Sequence, residues 1–294
     1  MAERQAGTAG GERMNAATIM KKSRSNFAWA FVGLSKAQRR ALQALYAYCR
    51  IVDDIVDEPR QASKAEEEIR RWRGYVDRVR HPSVFDPHVL HELSKACQTF
   101  PIELADLHWI LDGVEMDLHI HRYQTIEQLL SYCDGVASAV GLTSMAIFGG
   151  ERKSTTAYAV ATGRALQLTN ILRDVASDAK RGRIYLPQSD MERFGYREKD
   201  LLRSVYDERF TMLMSFEAAR AKSYYQDAEN ALPVIERKKF PAAEIMRRTY
   251  QALLQRIEGN RYNVFPQKIR LSPPTKMAIA VSVWAPHFFR PASV

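Results

Sequence analysis

Three cysteines, Cys49, Cys97 and Cys133, are all that the 294 residues contain, and no two of them form a C-x-x-C pair. This argues against a disulfide framework and a cysteine-built zinc site, and it fits a reducing compartment such as the cytoplasm. Glycine (14) and proline (12) are sparse, and no proline falls between Pro101 and Pro187. So long a stretch without a backbone breaker, with helical apolar spacing and few β-branched alternations, predicts an all-α chain. No apolar run is expected to reach the roughly 18 residues that a membrane span needs. The nearest, Met277 to Trp284, is short and is followed by Pro286. Also missing are the P-loop, the G-x-G-x-x-G fingerprint and the G-x-S-x-G elbow, which argues against P-loop, dinucleotide and acyl-transfer chemistry.

Acid is in deficit: the formal net charge is +9. The basic residues are dispersed, without an aromatic-interleaved patch or a zinc-finger, helix-turn-helix or RNP-like signature, so an anionic ligand or membrane surface is a better partner than nucleic acid. Residues 1–14, rich in Gly, Ala, Glu and Arg, are expected to be disordered and lack the apolar core of a signal peptide. No solenoid repeat and no Ser/Gly-rich linker divides the rest, and 15–294 are expected to form a single helical domain.

The most informative stretch is Gly163 to Asp178, GRALQLTNILRDVASD. At about 100° per residue a helix puts Gly163, Gln167, Asn170, Asp174 and Asp178 on one stripe. Asn170, Asp174 and Asp178, each four apart, suit a hard, oxygen-seeking cation such as Mg²⁺, or else form the wet face of a surface helix. A second stripe shifts the balance. Ser35-Lys36-Ala37-Gln38 reads as a capping box, and the helix it starts should end near Asp57, before Pro59. Along it Tyr46, Arg50, Asp53 and Asp57 share a line beside the apolar Leu42, Leu45, Cys49, Val52 and Val56.

Further helices are expected over Arg60 to Val79, Val89 to Cys97, Ile102 to Leu118, Thr125 to Phe148, Phe210 to Val234, Pro241 to Gly259, and a last short one after Pro273-Pro274. Thr125 to Phe148 carries a face of small groups, Cys133, Ala137, Gly141 and Ser144, beside Val136 and Val140. Such a face serves either close helix packing or a wall that leaves room for a long apolar ligand. Lys180 to Pro187 is a basic turn able to bring two guanidinium forks to a phosphate, or a solvated loop at a helix C-terminus. His119 and His121 stand two apart on a helix and cannot chelate one ion together.

Two acidic helices facing a space lined by apolar and small groups suit a substrate with a diphosphate head and a hydrocarbon tail. Metal ions bridging the acids to the diphosphate would promote ionisation of an allylic carbon–oxygen bond, and Tyr46, Tyr48, Phe27, Trp29 and Tyr250 offer aromatic faces to the cation.

Asp53-Asp54-Ile55-Val56-Asp57, preceded by Tyr46-Ala47-Tyr48-Cys49-Arg50, together with Gln167 to Asp174 and Arg183-Ile184-Tyr185-Leu186-Pro187, resembles the squalene/phytoene synthase family. The likeness runs from Ser23-Arg24-Ser25-Asn26-Phe27 to the tail around Val264 to Lys276. It implies an all-α isoprenoid synthase fold and head-to-head condensation of two prenyl diphosphates through a cyclopropylcarbinyl diphosphate. It further implies that Asp53, Asp57, Asn170, Asp174 and Asp178 hold Mg²⁺ or Mn²⁺, and that Arg50, Arg173, Arg183 and Tyr185, with Ser25 and Phe27 from the N-terminal segment, meet the substrate. Gln167 would lie beside the reacting carbons and Tyr46 and Tyr250 would face the cation. Val136, Ala137 and Gly141 would line the tail channel. The chain departs from the family pattern at Ser177 and Asn26.

Within the family the overall pattern is most similar to bacterial presqualene diphosphate synthases of the squalene and hopanoid route, with phytoene synthases close behind. The expectation is therefore two farnesyl diphosphates giving presqualene diphosphate, without a nicotinamide cofactor, in a cytoplasmic enzyme that attaches reversibly to anionic membrane through Met277 to Phe289. A terpene cyclase would use the same metal chemistry. A non-enzymatic helical scaffold would leave the five metal-site residues pointing outward or failing to converge.

Overall fold

The computed structural model describes residues 33–58 and 61–288, together with Ala16 and Thr18. Ser25, Asn26, Phe27, Trp29 and the stretch 1–14 lie outside the described residues. Helix α1, Lys36–Asp57, starts as its sequence requires. The Ser35 hydroxyl accepts from the Gln38 amide at 3.2 Å, and the Gln38 side chain accepts from the Ser35 amide at 3.1 Å. Glu58 is already extended, so the helix stops where a following proline forces it to. Helices α2 (Ala62–Asp77), α3 (His88–Thr99) and α4 (Leu104–His119) follow. They enclose an apolar cluster with α1 that includes Leu45, Tyr48, Trp72 and Leu107.

Next, α5 (Ile126–Cys133) passes through a π-helical segment, Asp134–Ser138, into α6 (Ala139–Phe148). This rod of 23 residues is long and apolar enough to cross a bilayer, contrary to the expectation that no run would be, but half of its apolar window is buried inside the protein. It packs against α4 and against α7, Arg152–Lys180. Glycine sets the closeness at both crossings. A Cβ on Gly113 of α4 would lie 2.7 Å from the Gly135 Cα, and one on Gly163 of α7 would lie 2.5 Å from the Ser138 Cα. The small face proposed from the sequence thus divides. Cys133 is fully buried, whereas Ala137, Gly141 and Ser144 border a cavity. Both alternatives hold, on different residues.

The short helices α8 (Gln188–Arg193) and α9 (Glu198–Leu202) lead to α10 (Glu208–Ala231), α11 (Val234–Arg237), α12 (Pro241–Gly259) and α13 (Pro273–Phe288). Among the described residues there is no strand, only an isolated parallel bridge between Arg122 and Ile184. The all-α class expected from the sequence is the one the described residues have. Central in it is α7, which packs along α10, α12 and the α5–α6 rod and carries its polar stripe between them.

Candidate active site

Asp53 of α1 and Asn170 of α7 border one cavity of about 310 Å³, whose walls come from α1, the α5–α6 rod, α7 and α12. One end is polar, with Arg50, Asp53, Gln167 and Asn170. Beside it stand the rings of Tyr46 and Tyr250, and beyond them the wall turns to Val136, Ala137, Val140, Gly141, Gly163 and Leu166. The i, i+3/i+4 register explains this division: one stripe of each helix faces the cavity, carrying acids and amides at one end and small or aliphatic groups along the rest. Asp53 and Asn170 thus do not point outward, as a non-enzymatic scaffold would require of them.

Of the other expected acids, Asp57, Asp174 and Asp178 are not among the residues that line that cavity, and the first two are already engaged. Asp57 accepts from Arg183 at 2.6 Å and from Arg181 at 3.3 Å. Asp174 accepts from Arg173 Nε at 2.9 Å and pairs with Lys268 Nζ at 2.9 Å. Arg50 borders the cavity but pairs with Asp54 one turn along its own helix. Asp178 borders a recess that it shares with Arg183 and Tyr185. As the side chains stand, no three His, Cys, Asp or Glu side chains among the described residues are grouped to hold a metal ion.

Tyr185, expected against a diphosphate, is instead buried and donates to Asp117 at 2.7 Å. The cause is Asp117 itself, a buried carboxylate on α4 that also accepts from Tyr132 at 3.1 Å and lies 3.8 Å from Arg183. A carboxylate in that position needs donors, and the two tyrosines, whose rings stack at 5.1 Å, supply them. Sequence reasoning assigned no role to Asp117 or Lys268. The available sign for Asp117 was an acid on a helix whose neighbours Val114 and Leu118 are apolar; for Lys268 there was none.

The electrostatics separate the acids. Burial, reinforced by Asp57, pushes the Asp53 carboxyl up to about 7. Burial and the Asp174 charge do the same for Asp178, also to about 7. For Asp174 burial works in the same direction but is outweighed by the Arg173 fork and Lys268, which hold it below the ordinary carboxylate range. Burial raises Asp117 as well, against Arg183 and its two tyrosines. Asn170 Oδ1 is buried without a hydrogen-bond partner. An all-oxygen donor set with an open acceptor and under-ionised acids is chemically matched to a hard divalent cation.

Comparison with known proteins bears on the same residues. A family model described as squalene/phytoene synthase matches residues 20–275. The chain is 38% identical over 261 residues to the 15-cis-phytoene synthase of Synechocystis sp., covering 84% of this chain and 77% of that one. It is 36% identical over 259 residues to the phytoene synthase of Arthrospira platensis, covering 82% of each. A solved dehydrosqualene synthase in complex with ligand superposes with a TM-score of 0.82 at 28% identity, over 94% of this chain and 96% of the other. Squalene synthase HpnC from Alicyclobacillus acidocaldarius, at 23% identity, shares the fold with a TM-score of 0.77 over 84% and 93% of the two chains. The chain is therefore a prenyltransferase and belongs to the squalene/phytoene synthase family.

Proposed function

We propose that this prenyltransferase condenses two molecules of geranylgeranyl diphosphate head to head to give phytoene. The product favoured from sequence pattern alone was presqualene diphosphate; the curated relatives, phytoene synthases at 38% and 36% identity, support the longer substrate instead. The observation that carries the general reaction is the pairing of Asp53 and Asn170 at the polar end of an otherwise apolar cavity.

In this proposal Asp53, Asp57, Asn170, Asp174 and Asp178 hold Mg²⁺ or Mn²⁺, for which the open Asn170 Oδ1 and the under-ionised Asp53 and Asp178 are fitting donors. When bound, the metal supplies neutralisation of the diphosphate as it departs. The side chains do the rest. Arg173, Arg183 and Lys268 stand close enough to the acids to exchange a carboxylate for a phosphate oxygen, and Arg50 borders the cavity mouth. Tyr46 and Tyr250 turn aromatic surface toward the developing cation, Gln167 borders the reacting carbons, and the apolar wall excludes water. No nicotinamide cofactor enters these steps.

One observation favours farnesyl diphosphate, giving presqualene diphosphate, as a second possibility. Along α7 the cavity wall runs from Asn170 to Tyr158, and the part beyond Gln167, set beside the reacting carbons, spans roughly 13 Å at 1.5 Å per residue. From the covalent geometry that gives an extended backbone about 3.5 Å for three bonds, three isoprene units reach roughly 13 Å and four roughly 18 Å. Incubation of the purified chain with either diphosphate and Mg²⁺, without NADPH, followed by mass spectrometry of the extract, tests both. Phytoene from the longer substrate supports the proposal. Presqualene diphosphate with little turnover of the longer substrate would promote the second, and no coupled product from either would reject both.

A further inference from the structure

The turn that carries Arg181 and Arg183 to Asp57 is itself gripped from behind. It follows α7 at once and passes through Gly182, at φ +83°, where an added Cβ would meet nothing within 4 Å. Beyond it the chain zips onto the α4–α5 connection. The Ile184 amide donates to the His121 carbonyl at 3.0 Å, Gln188 to Tyr123 at 2.9 Å and Ser189 to Gln124 at 3.1 Å. That stretch is fixed by its backbone, whereas the amides of 181–183 bond back to the last turn of α7. Arg122, in the α4–α5 connection, reaches across to this less secured turn. Its Nη1 donates to the Gly182 carbonyl, between the two arginines, and to the His121 carbonyl at 2.7 Å. Its Nε donates to Glu198 Oε2 at 3.0 Å, and its Nη2 to the other oxygen of the same carboxylate. Glu198 opens α9, whose Leu201 is buried in the core, so the fork is aimed by a fixed partner. Arg122 does not line the cavity that Asp53 and Asn170 border.

We propose that Arg122, oriented by Glu198, is a positioning residue for the diphosphate: it holds the Gly182 carbonyl so that Arg181 and Arg183 exchange Asp57 for phosphate oxygens by side-chain rotation alone. This rests on the prenyl diphosphate reaction proposed above. In the ligand-free protein the turn's own arginines also anchor it. Arg183 donates to Asp57 at 2.6 Å and to the Val56 carbonyl at 3.0 Å, and Arg181 donates to Asp57 at 3.3 Å. The bonds to Asp57 are the ones a diphosphate takes away. Once they are released, a turn built on a glycine with open space around it keeps its aim only if another bond holds its backbone. The bond from Arg122 to Gly182 is made to a carbonyl, for which an anion does not compete. Glu198 in turn neutralises Arg122 with two parallel bonds, which keeps that guanidinium from following the phosphate.

The test measures pyrophosphate affinity by calorimetry with Mg²⁺, and kcat and KM for geranylgeranyl and farnesyl diphosphate, in the full chain and in Arg122→Gln, Arg122→Lys and Glu198→Gln. Arg78→Gln, which breaks a similar two-pronged pair with Asp86, serves as control. Arg122→Gln should weaken pyrophosphate binding roughly tenfold or more, the scale of one charge-assisted hydrogen bond. KM for both prenyl diphosphates should rise by a similar factor with kcat changed less, the mark of lost binding. The ratio between the two substrates should stay constant, because the hydrocarbon tail meets none of these residues. Lysine carries the charge without the fork, so Arg122→Lys, like Glu198→Gln, should still lose about threefold or more, and the control nothing. Melting is measured in parallel, since a merely structural tie would lower Tm and leave affinity and KM alone. Affinity and KM within twofold of the unmodified chain in folded Arg122→Gln would overturn the positioning role while leaving head-to-head transfer standing. Should that variant not fold, Arg122→Lys and Glu198→Gln decide by the same criterion. An unmodified chain that binds pyrophosphate but couples neither substrate would overturn the reaction and leave Arg122 to be judged by affinity; one that does neither would overturn both.

Discussion

At the scale of single residues, the informative groups are two carboxylates that resist ionisation. Asp53 and Asp178 titrate at about 7 in the folded protein, against roughly 3.9 in an unfolded chain. Between those values the folded state binds more protons, so the stability they contribute is complete below about pH 4 and is lost as pH rises through 7. Metal-free protein should therefore melt at a higher temperature at pH 6 than at pH 8.5. Asp53→Asn should flatten that dependence and stabilise the metal-free form at pH 8.5, and calorimetry at the two pH values checks this. The same variant should lose turnover by roughly a hundredfold or more, the scale of removing one preorganised electrostatic group, while the exposed-helix control Glu67→Gln loses nothing. Unfolding of Asp53→Asn with retention of fold in the control would make the acid a structural group. Both stripes were legible in the sequence because register on a helix is local: Asp53 and Asp57, like Asn170, Asp174 and Asp178, are related by steps of four. The partners of those acids were not legible. That Asp57 meets Arg183, Asp174 meets Lys268 and Tyr185 meets Asp117 depends on contacts between residues 68 to 126 positions apart, which no periodicity encodes.

At the scale of elements, the cavity exists because the α5–α6 rod is pinned at two points and open elsewhere. Gly113 against Gly135 and Gly163 against Ser138 bring three helices to backbone contact. Gly163→Ala places a methyl group against backbone that cannot yield, and should cost about 1–3 kcal/mol and lower Tm by several degrees, as overpacking does elsewhere. Gly182→Ala, at φ +83° with open space around it, should cost only about 1 kcal/mol from the left-handed backbone. Chemical denaturation of both variants separates the two effects, and equal losses would mean that the crossing has slack. The long helices could be read from apolar spacing, and the capping box and Gly149 gave two of their ends. The four to six residues of α8, α9 and α11 carry too few turns for a period to show. The π segment Asp134–Ser138 has no sequence signature at all, yet it starts right after the packed Cys133 and itself carries the cavity-facing Ala137.

At the scale of the whole molecule, a +9 chain presents apolar side chains next to lysines. Val234 and Ile235 at the tip of α11 are 58% and 59% exposed, and Met277 and Val281 on α13 are 51% and 60% exposed. Lys238 and Lys239 border a cavity between them. Ala280 and Val283 of the same helix are buried, so it offers only part of its apolar surface. We propose that this face rests on anionic lipid, in keeping with the reversible attachment expected from the C-terminal segment. Flotation with phosphatidylglycerol vesicles should carry the protein at low ionic strength. Paired Lys238→Glu and Lys239→Glu substitutions should abolish it, as should salt near 1 M, where the screening length shrinks to about 3 Å. Flotation that ignores both charge reversal and salt would count against this orientation.

The internal counter-ions of the acids have a consequence for the order of events. Before an ion can use Asp57 or Asp174, Arg181 and Arg183 must leave the first, and Arg173 and Lys268 the second. Displaced alone, the sheltered Arg173 and Arg183 and the more exposed Arg181 and Lys268 would face a like-charged newcomer; displaced onto a diphosphate, they gain partners as good as those they lost. Metal and diphosphate should thus bind synergistically, each tightening the other by the same factor. Titration calorimetry with Mg²⁺ alone, with pyrophosphate alone and with each in the presence of the other measures that factor. A value near one would mean that the arginines and the lysine stay where they are throughout the cycle.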